Sequence, residues 1–167
     1  MYYDFDEVDA FTVGAIGQPG ARMFFLQARR GATRVTIKCE KQQASAISDY
    51  LRRVLNDLPA PTEKPIAAAM ELAQPVDAVF VLGPVGLGYD RSNDMVLLQL
   101  EEVVEVDEEG EPIEDEDDDR GHLRVFLTRS QAHAFCDHAE SVVAAGRPAC
   151  IWCTRPINPD GHLCVRM

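Results

Sequence analysis

Phe11-Thr12-Val13-Gly14-Ala15-Ile16-Gly17, followed by Phe24-Phe25-Leu26-Gln27-Ala28, decides how this chain is read, because a stretch of similar design comes later. Its partner is Phe80-Val81-Leu82-Gly83-Pro84-Val85-Gly86, followed by Val96-Leu97-Leu98-Gln99-Leu100. Further on, Arg34-Val35-Thr36-Ile37 and Gln43-Ala44 through Asp49 are echoed by Arg124-Val125-Phe126-Leu127 and Gln131-Ala132 through Asp137. An order kept over about 45 positions reads as an internal repeat, the alternative being two unrelated β-rich stretches that align by chance.

Each unit reads as three strands and a helix. Gln18-Pro19-Gly20-Ala21 has the composition of a type II turn, with Pro second and Gly third, and should link a strand near 9–17 to one near 22–29. Gly31 then turns the chain into Thr33–Cys39, where Val35 and Ile37 alternate with polar neighbours. From about 41 to 58 the period becomes helical, with Ala44, Ile47, Leu51, Val54, Leu55 and Leu58 on one stripe until Pro59 and Pro61 stop it. A proline-containing linker follows, in which Ile66–Leu72 reads as a short helix. The second unit is expected to have strands near 76–83, 94–106 and 122–128. Thr128-x-x-Gln131 has the spacing of a capping box, and Ala132, Phe135, Ala139, Val142 and Val143 form the stripe of the second helix. The expected fold class is α+β: two β-β-β-α repeats, about 9–58 and 76–146, in one domain of residues 1–147. They should form one mainly antiparallel sheet with both helices on one face and a pseudo-two-fold between the units, because neither buries its apolar face alone.

The net charge of −12 belongs to one segment. Residues 101–119 hold 13 acidic side chains and no Lys or Arg, which leaves 15 acidic against 16 basic elsewhere. The body is therefore near neutral and lacks a nucleic-acid footprint. Like charges at that density repel, so about 105–120 is expected to be a disordered loop; a calcium site or a phosphate mimic is the alternative, but Asp115–Asp119 lacks the Gly and final Glu of an EF-hand loop. The first residues include Asp4, Asp6, Glu7 and Asp9 rather than a basic and then apolar run, and no apolar stretch reaches a membrane-span length. These features, with cysteines suited to a reducing compartment, place the expected protein in the cytoplasm, away from membranes.

Cys150, Cys153, His162 and Cys164 have the spacing C-x2-C-x8-H-x-C. Two close ligand pairs bridged by a short loop suit a tetrahedral Zn2+ ion, and Pro156, Pro159, Asp160 and Gly161 supply the turns between them. Four protein ligands leave no open coordination position, so the zinc in this knuckle, residues 148–167, is expected to be structural.

Other motifs carry less. Gly14-x-x-Gly17-x-x-Gly20 lacks the Lys-Ser/Thr of a phosphate loop and reads as tight strand turns. His133, Cys136 and His138 share one expected helix at a spacing that cannot put all three on one face. Trp152 is a contact residue or a shield for the metal. Gly83–Asp90 reads as a hairpin loop, with a ligand-lining stretch ending in Tyr89, Asp90 and Arg91 as the alternative. Basic groups in the tail are few (Arg147, Arg155 and Arg166), so nucleic-acid binding is disfavoured.

Phe11–Gly20, Phe24–Ala28, Glu40-Lys-Gln-Gln43 and Gly86-Leu-Gly-Tyr-Asp90 together resemble a mainly actinobacterial family of domains of unknown function whose members are called only repeat proteins. Gly146-Arg-Pro-Ala-Cys-Ile-Trp-Cys153 and Asn158-Pro-Asp-Gly-His-Leu-Cys164 are similar to that family's C-terminal signature, though Thr154 stands where Gly is usual. The resemblance implies the fold and the metal but no reaction. Frequent neighbourhood with kinase-like and histidine-phosphatase-like genes implies a shared pathway only by association. Two expectations follow. The first is a non-catalytic, zinc-stapled adaptor that binds a protein or small-molecule ligand across the sheet or the Tyr89 loop. The second is an enzyme acting on a phosphorylated or nucleotide-like metabolite, for which Arg22, Arg29, Arg34, Tyr89, Asp90 and Arg91 would converge, and Arg34 and Arg124 would face one pocket. The sequence does not specify the oligomeric state.

Overall fold

The computed structural model of the chain describes residues 1–18, 20–61, 67–111 and 119–145. The chain opens with β1 (Tyr2–Phe5), then β2 (Ala10–Ile16) and β3 (Met23–Arg30), each with five consecutive buried residues, and β4 (Thr33–Cys39), where Val35 and Ile37 alternate with polar neighbours, followed by α1 (Lys41–Asn56). After a short 3-10 turn, Ala67–Met70, come β5 (Ala78–Asp90), β6 (Met95–Glu102) and β7 (His122–Thr128), then α2 (Arg129–Ala144). The seven strands form one sheet in the order β1-β7-β6-β5-β4-β3-β2. It is antiparallel within β2-β3-β4 and within β5-β6-β7, and parallel where β4 meets β5 and β7 meets β1.

The sheet must curl. Its edge strands β1 and β2 are consecutive, and the link from Phe5 to Ala10 reaches at most about 18 Å. A flat sheet of this order would separate them by about 29 Å. Accordingly α2 touches β2, β6 and β7, strands from both ends of the order. The inner face carries Val13, Leu26, Ile37, Val96, Leu98 and Val125, all fully buried against one core with the helix stripes. Phe135 of α2 stacks on Phe11 of β2 with ring centroids 5.0 Å apart. Burying such a side chain contributes roughly 1.5–3 kcal/mol.

The glutamines in the first turns of the two helices are held alike. Gln43 Oε1 accepts from the Glu40 N–H (2.8 Å), and its Nε2 donates to the Leu82 carbonyl (3.0 Å). Gln131 Oε1 accepts from the Thr128 N–H (3.0 Å), and its Nε2 donates to the Val8 carbonyl (2.7 Å). Phe5, on β1 beside β7, matches Phe80, on β5 beside β4, and both are buried. Where the helices touch, Cys136 Sγ donates to the Ser48 carbonyl (3.4 Å) and Arg52 donates to Glu140 (3.0 Å), each partner 88 residues from the other. That is also the spacing of Gln43 from Gln131.

The register differs from the expected alignment. Phe80 corresponds to Phe5 rather than Phe11, and Arg124 to Thr36 rather than Arg34: Arg124 pairs with Asp4 and Gln99 as Thr36 pairs with Ala78 and Gln27. The first strand of the first half is broken at residues 6–9 into β1 and β2, whereas β5 is continuous with a bulge between Leu82 and Val85. Gly83–Asp90 is therefore not a hairpin loop. It pairs with β6, and the turn is Arg91–Asp94. Part of the expected disordered loop is a closed turn as well: Asp107 Oδ1 accepts from the N–H groups of Glu109 and Glu111, both at 2.9 Å. Residues 112–118 lie outside the described residues.

Candidate functional site

The arginines and the tyrosine singled out by sequence do not converge. Arg34 Nη1 donates to the Gln74 carbonyl (3.0 Å), and Arg29 Nη2 donates to that of Ala69 (2.7 Å). Arg124 lies on the same outer face as Arg34 but three strands away and far along the strand direction, since its row crosses β5 at Gly86 whereas Thr36 pairs with Ala78; it is clamped by Asp4 through Nε (2.9 Å) and Nη2 (2.5 Å). That bidentate contact holds its guanidinium charged. Tyr89 donates to Asp94 Oδ1 (2.5 Å), which raises the phenol's pKa and lowers that of Asp94, helped by Arg129 at 3.0 Å. Asp90 accepts from the Ser92 N–H (3.0 Å) and from Asn93 (2.7 Å), so it builds the turn. Arg91 is exposed beside them. Among the described residues Arg34 and Arg124 do not share a pocket.

Arg22 instead lines a cleft of about 320 Å³ with Lys38, Lys41, Glu40 and Cys39 at the start of α1. Three cations and a helix N-terminus give it a positive bias, opposed by Glu40. Cys39 is no nucleophile there: burial, then the Glu40 charge, pushes its thiol up to about 12. Burial likewise pushes Cys136 up to about 11. His138, packed on the edge of β2, is shifted below the usual imidazole value by burial, against the Val13 backbone and Glu71.

Sequence reasoning missed the contrast between the two outer faces. Over β2-β3-β4 the segment 69–74 lies against the sheet. Gln27 is fully buried; it donates to the Ala73 carbonyl (3.1 Å) and to Thr36 Oγ1 (3.1 Å), and accepts from the Ala73 N–H (2.8 Å). Thr12 donates to the Met70 carbonyl at 2.7 Å. A Gln in the middle of the apolar run Phe24–Ala28 was the available signal, since a buried amide needs partners. Its counterpart Gln99 is exposed on an outer face that also presents Gly86, Gly88, Leu97 and Phe126, and no segment among the described residues covers it.

Cys150, Cys153, His162 and Cys164 lie outside the described residues, within which no group of three or more His, Cys, Asp or Glu could hold a metal ion. Nor, within them, is any helix long and apolar enough to cross a membrane.

These features define a mixed α/β protein, a seven-stranded sheet curled on two helices, whose most distinctive surfaces are a basic cleft and an open sheet face. Residues 3–164 match the family described as protein of unknown function (DUF3090), and the chain belongs to that family. No curated protein matches the chain, and no solved structure does.

Proposed function

We propose that the protein is a non-catalytic, zinc-stapled adaptor or ligand-binding module in the cytoplasm, built from a duplicated strand-strand-strand-helix unit. The observation that carries this reading is the open outer face of β5-β6-β7: Gly86 and Gly88 leave it low beside Leu97, Gln99 and Phe126, as a surface for an extended chain or flat ligand would be. The duplication is supported by the matching roles of Gln43 and Gln131. The zinc rests on the donor set Cys150, Cys153, His162 and Cys164, which supplies three thiolates and an imidazole. Elemental analysis of native protein should find one zinc per chain, and a strong chelator should expose the tail while the sheet keeps its far-UV signal. Metal-free native protein would remove the staple from the proposal.

The second reading, an enzyme acting on a phosphorylated or nucleotide-like metabolite, is favoured only by the cleft of Arg22, Lys38 and Lys41 at the α1 N-terminus. Thermal-shift screening against metabolites, paired with affinity capture from lysate, separates the two. A protein partner lost on Leu97→Glu supports the adaptor. A phosphorylated metabolite that stabilises the protein, with the shift abolished in Lys38→Ala/Lys41→Ala, overturns it.

A further inference from the structure

We propose that the cleft at the start of α1 is a docking site for an acidic protein segment whose carboxylates alternate with apolar side chains. Arg22, Lys38 and Lys41 line it together with Gly20, Met23 and Glu40. The chain carries 28 acidic residues against 16 basic ones, so carboxylates to pair with are in excess. Arg30, Arg52, Arg124 and Arg129 each hold one, and Arg29 and Arg34 hold backbone carbonyls. Arg22, Lys38 and Lys41 hold neither among the described residues; Arg22 lies over the Phe24 ring, 5.1 Å from its centroid. Three like charges gathered at one opening repel one another, and an anion placed between them relieves that repulsion.

The start of α2 shows which group such a place takes. Arg129, the first residue of α2, meets Asp94, the residue before β6, and its Nε donates to the two carboxylate oxygens at 3.0 and 3.1 Å. Lys41 is likewise the first residue of α1, but the residue before β3 is Arg22. The chain thus supplies the carboxylate at one helix start and withholds it at the other. Glu40 does not make up for this, since it is engaged in the capping box of α1 with Gln43. The surroundings choose a peptide over a small anion. Ile16 pairs with Met23 across β2 and β3, Lys38 pairs with Val81 across β4 and β5, and the Val103 N–H donates to the Val81 carbonyl at 2.8 Å. All four apolar side chains are exposed, Met23 at 46% and Val81 at 44%. Cations set among exposed apolar side chains form a surface that an extended acidic and apolar segment covers, whereas a free anion uses only the charges.

This inference goes beyond the sheet-face reading and stands without it. The test uses the full chain and follows the fluorescence anisotropy of a labelled peptide of alternating Glu and Leu. Arg22→Ala/Lys38→Ala/Lys41→Ala should weaken binding about tenfold and flatten its salt dependence. Met23→Ser/Val81→Ser should weaken it about threefold and leave the salt dependence in place. Arg91→Ala, which removes an exposed cation elsewhere, should change nothing, and neither should Leu97→Glu on the open face. Should the triple variant fail to fold by circular dichroism, Lys38→Ala/Lys41→Ala decides, with a loss of about fivefold. Absence of binding to wild type, or equal affinity in wild type and the cation variants, overturns the proposal. Equal binding of a peptide of alternating Gln and Leu does the same. So does displacement of the peptide by inorganic phosphate at micromolar concentration, which assigns the cleft to phosphorylated small molecules. Because Leu97→Glu spares the cleft, a partner lost at the open face and a peptide lost at the cleft are separate results.

Discussion

The outer faces of the two halves start from the same strand order and end differently. Over β2-β3-β4, Thr12, Gln27 and Thr36 are buried polar side chains whose partners include the segment that crosses them. Over β5-β6-β7 the corresponding positions are Gly86, Gln99 and Arg124, respectively exposed, exposed and half-buried. A polar side chain on a sheet is neutral while water reaches it. Once covered, it demands a hydrogen bond and fixes what covers it. Gln27 is thus a structural clasp, and Gln99, the same residue type, is free for a ligand.

The largest expected effect comes from removing the clasp. Gln27→Ala strands the half-buried Ala73 N–H and carbonyl and should cost about 2 kcal/mol, read as a lower urea midpoint with an unchanged slope. Gln99→Ala should cost less than about 0.5 kcal/mol in the same assay. Equal losses would mean that both faces are covered and clasped alike.

A smaller effect separates the paired glycines. A Cβ at Gly14 would sit 2.5 Å from Leu72 Cδ1, in the covering segment, whereas one at Gly88 meets nothing within 4 Å. Gly14→Ala should cost about 1–3 kcal/mol, because Leu72 must shift, and Gly88→Ala about 0.5 kcal/mol or less. Comparable costs at both positions would show a second covering layer.

Much of the local structure was legible from periodicity. The stripe Ala44, Ile47, Leu51, Leu55 does face the core, and Thr128-x-x-Gln131 does cap α2, with the Gln131 N–H donating to Thr128 Oγ1 at 3.1 Å. Gln18–Ala21 closes as a turn through the Ala21 N–H to the Gln18 carbonyl (2.9 Å), with Gly20 at φ 89°. Non-local facts were not legible. β1 is four residues long among acidic neighbours, and only its pairing with β7, about 120 residues away, makes it a strand. Gly83, Gly86 and Gly88 read as loop because glycine weakens a strand pattern, yet Gly83 sits in the bulge of β5 and pairing with β6 holds Gly86 and Gly88 extended. The candidate residues fared worse for a related reason: charge and spacing show that Arg34 and Arg124 are cations, but only the fold shows that local carbonyls and Asp4 already engage them.

The smallest expected effect is a pH dependence confined to one half. His138 has its folded pKa lowered by burial, so below about 6.5 the unfolded chain takes up the proton first. The contribution of His138 is complete above that pH and is lost as pH falls toward the folded value. Glu71 lies close enough to favour the charged form and limits the loss. Against wild type, His138→Gln should flatten the part of the decline in urea midpoint between pH 7.5 and 5.5 that this site causes. The matching substitution on α1, Tyr50→Gln, introduces no change in charge over that range, so its pH slope should equal that of wild type. A His138→Gln slope equal to wild type would mean that the edge of β2 and the segment bearing Glu71 leave this imidazole as well solvated as in the unfolded chain. The covered half would then be less tightly closed than its hydrogen bonds imply.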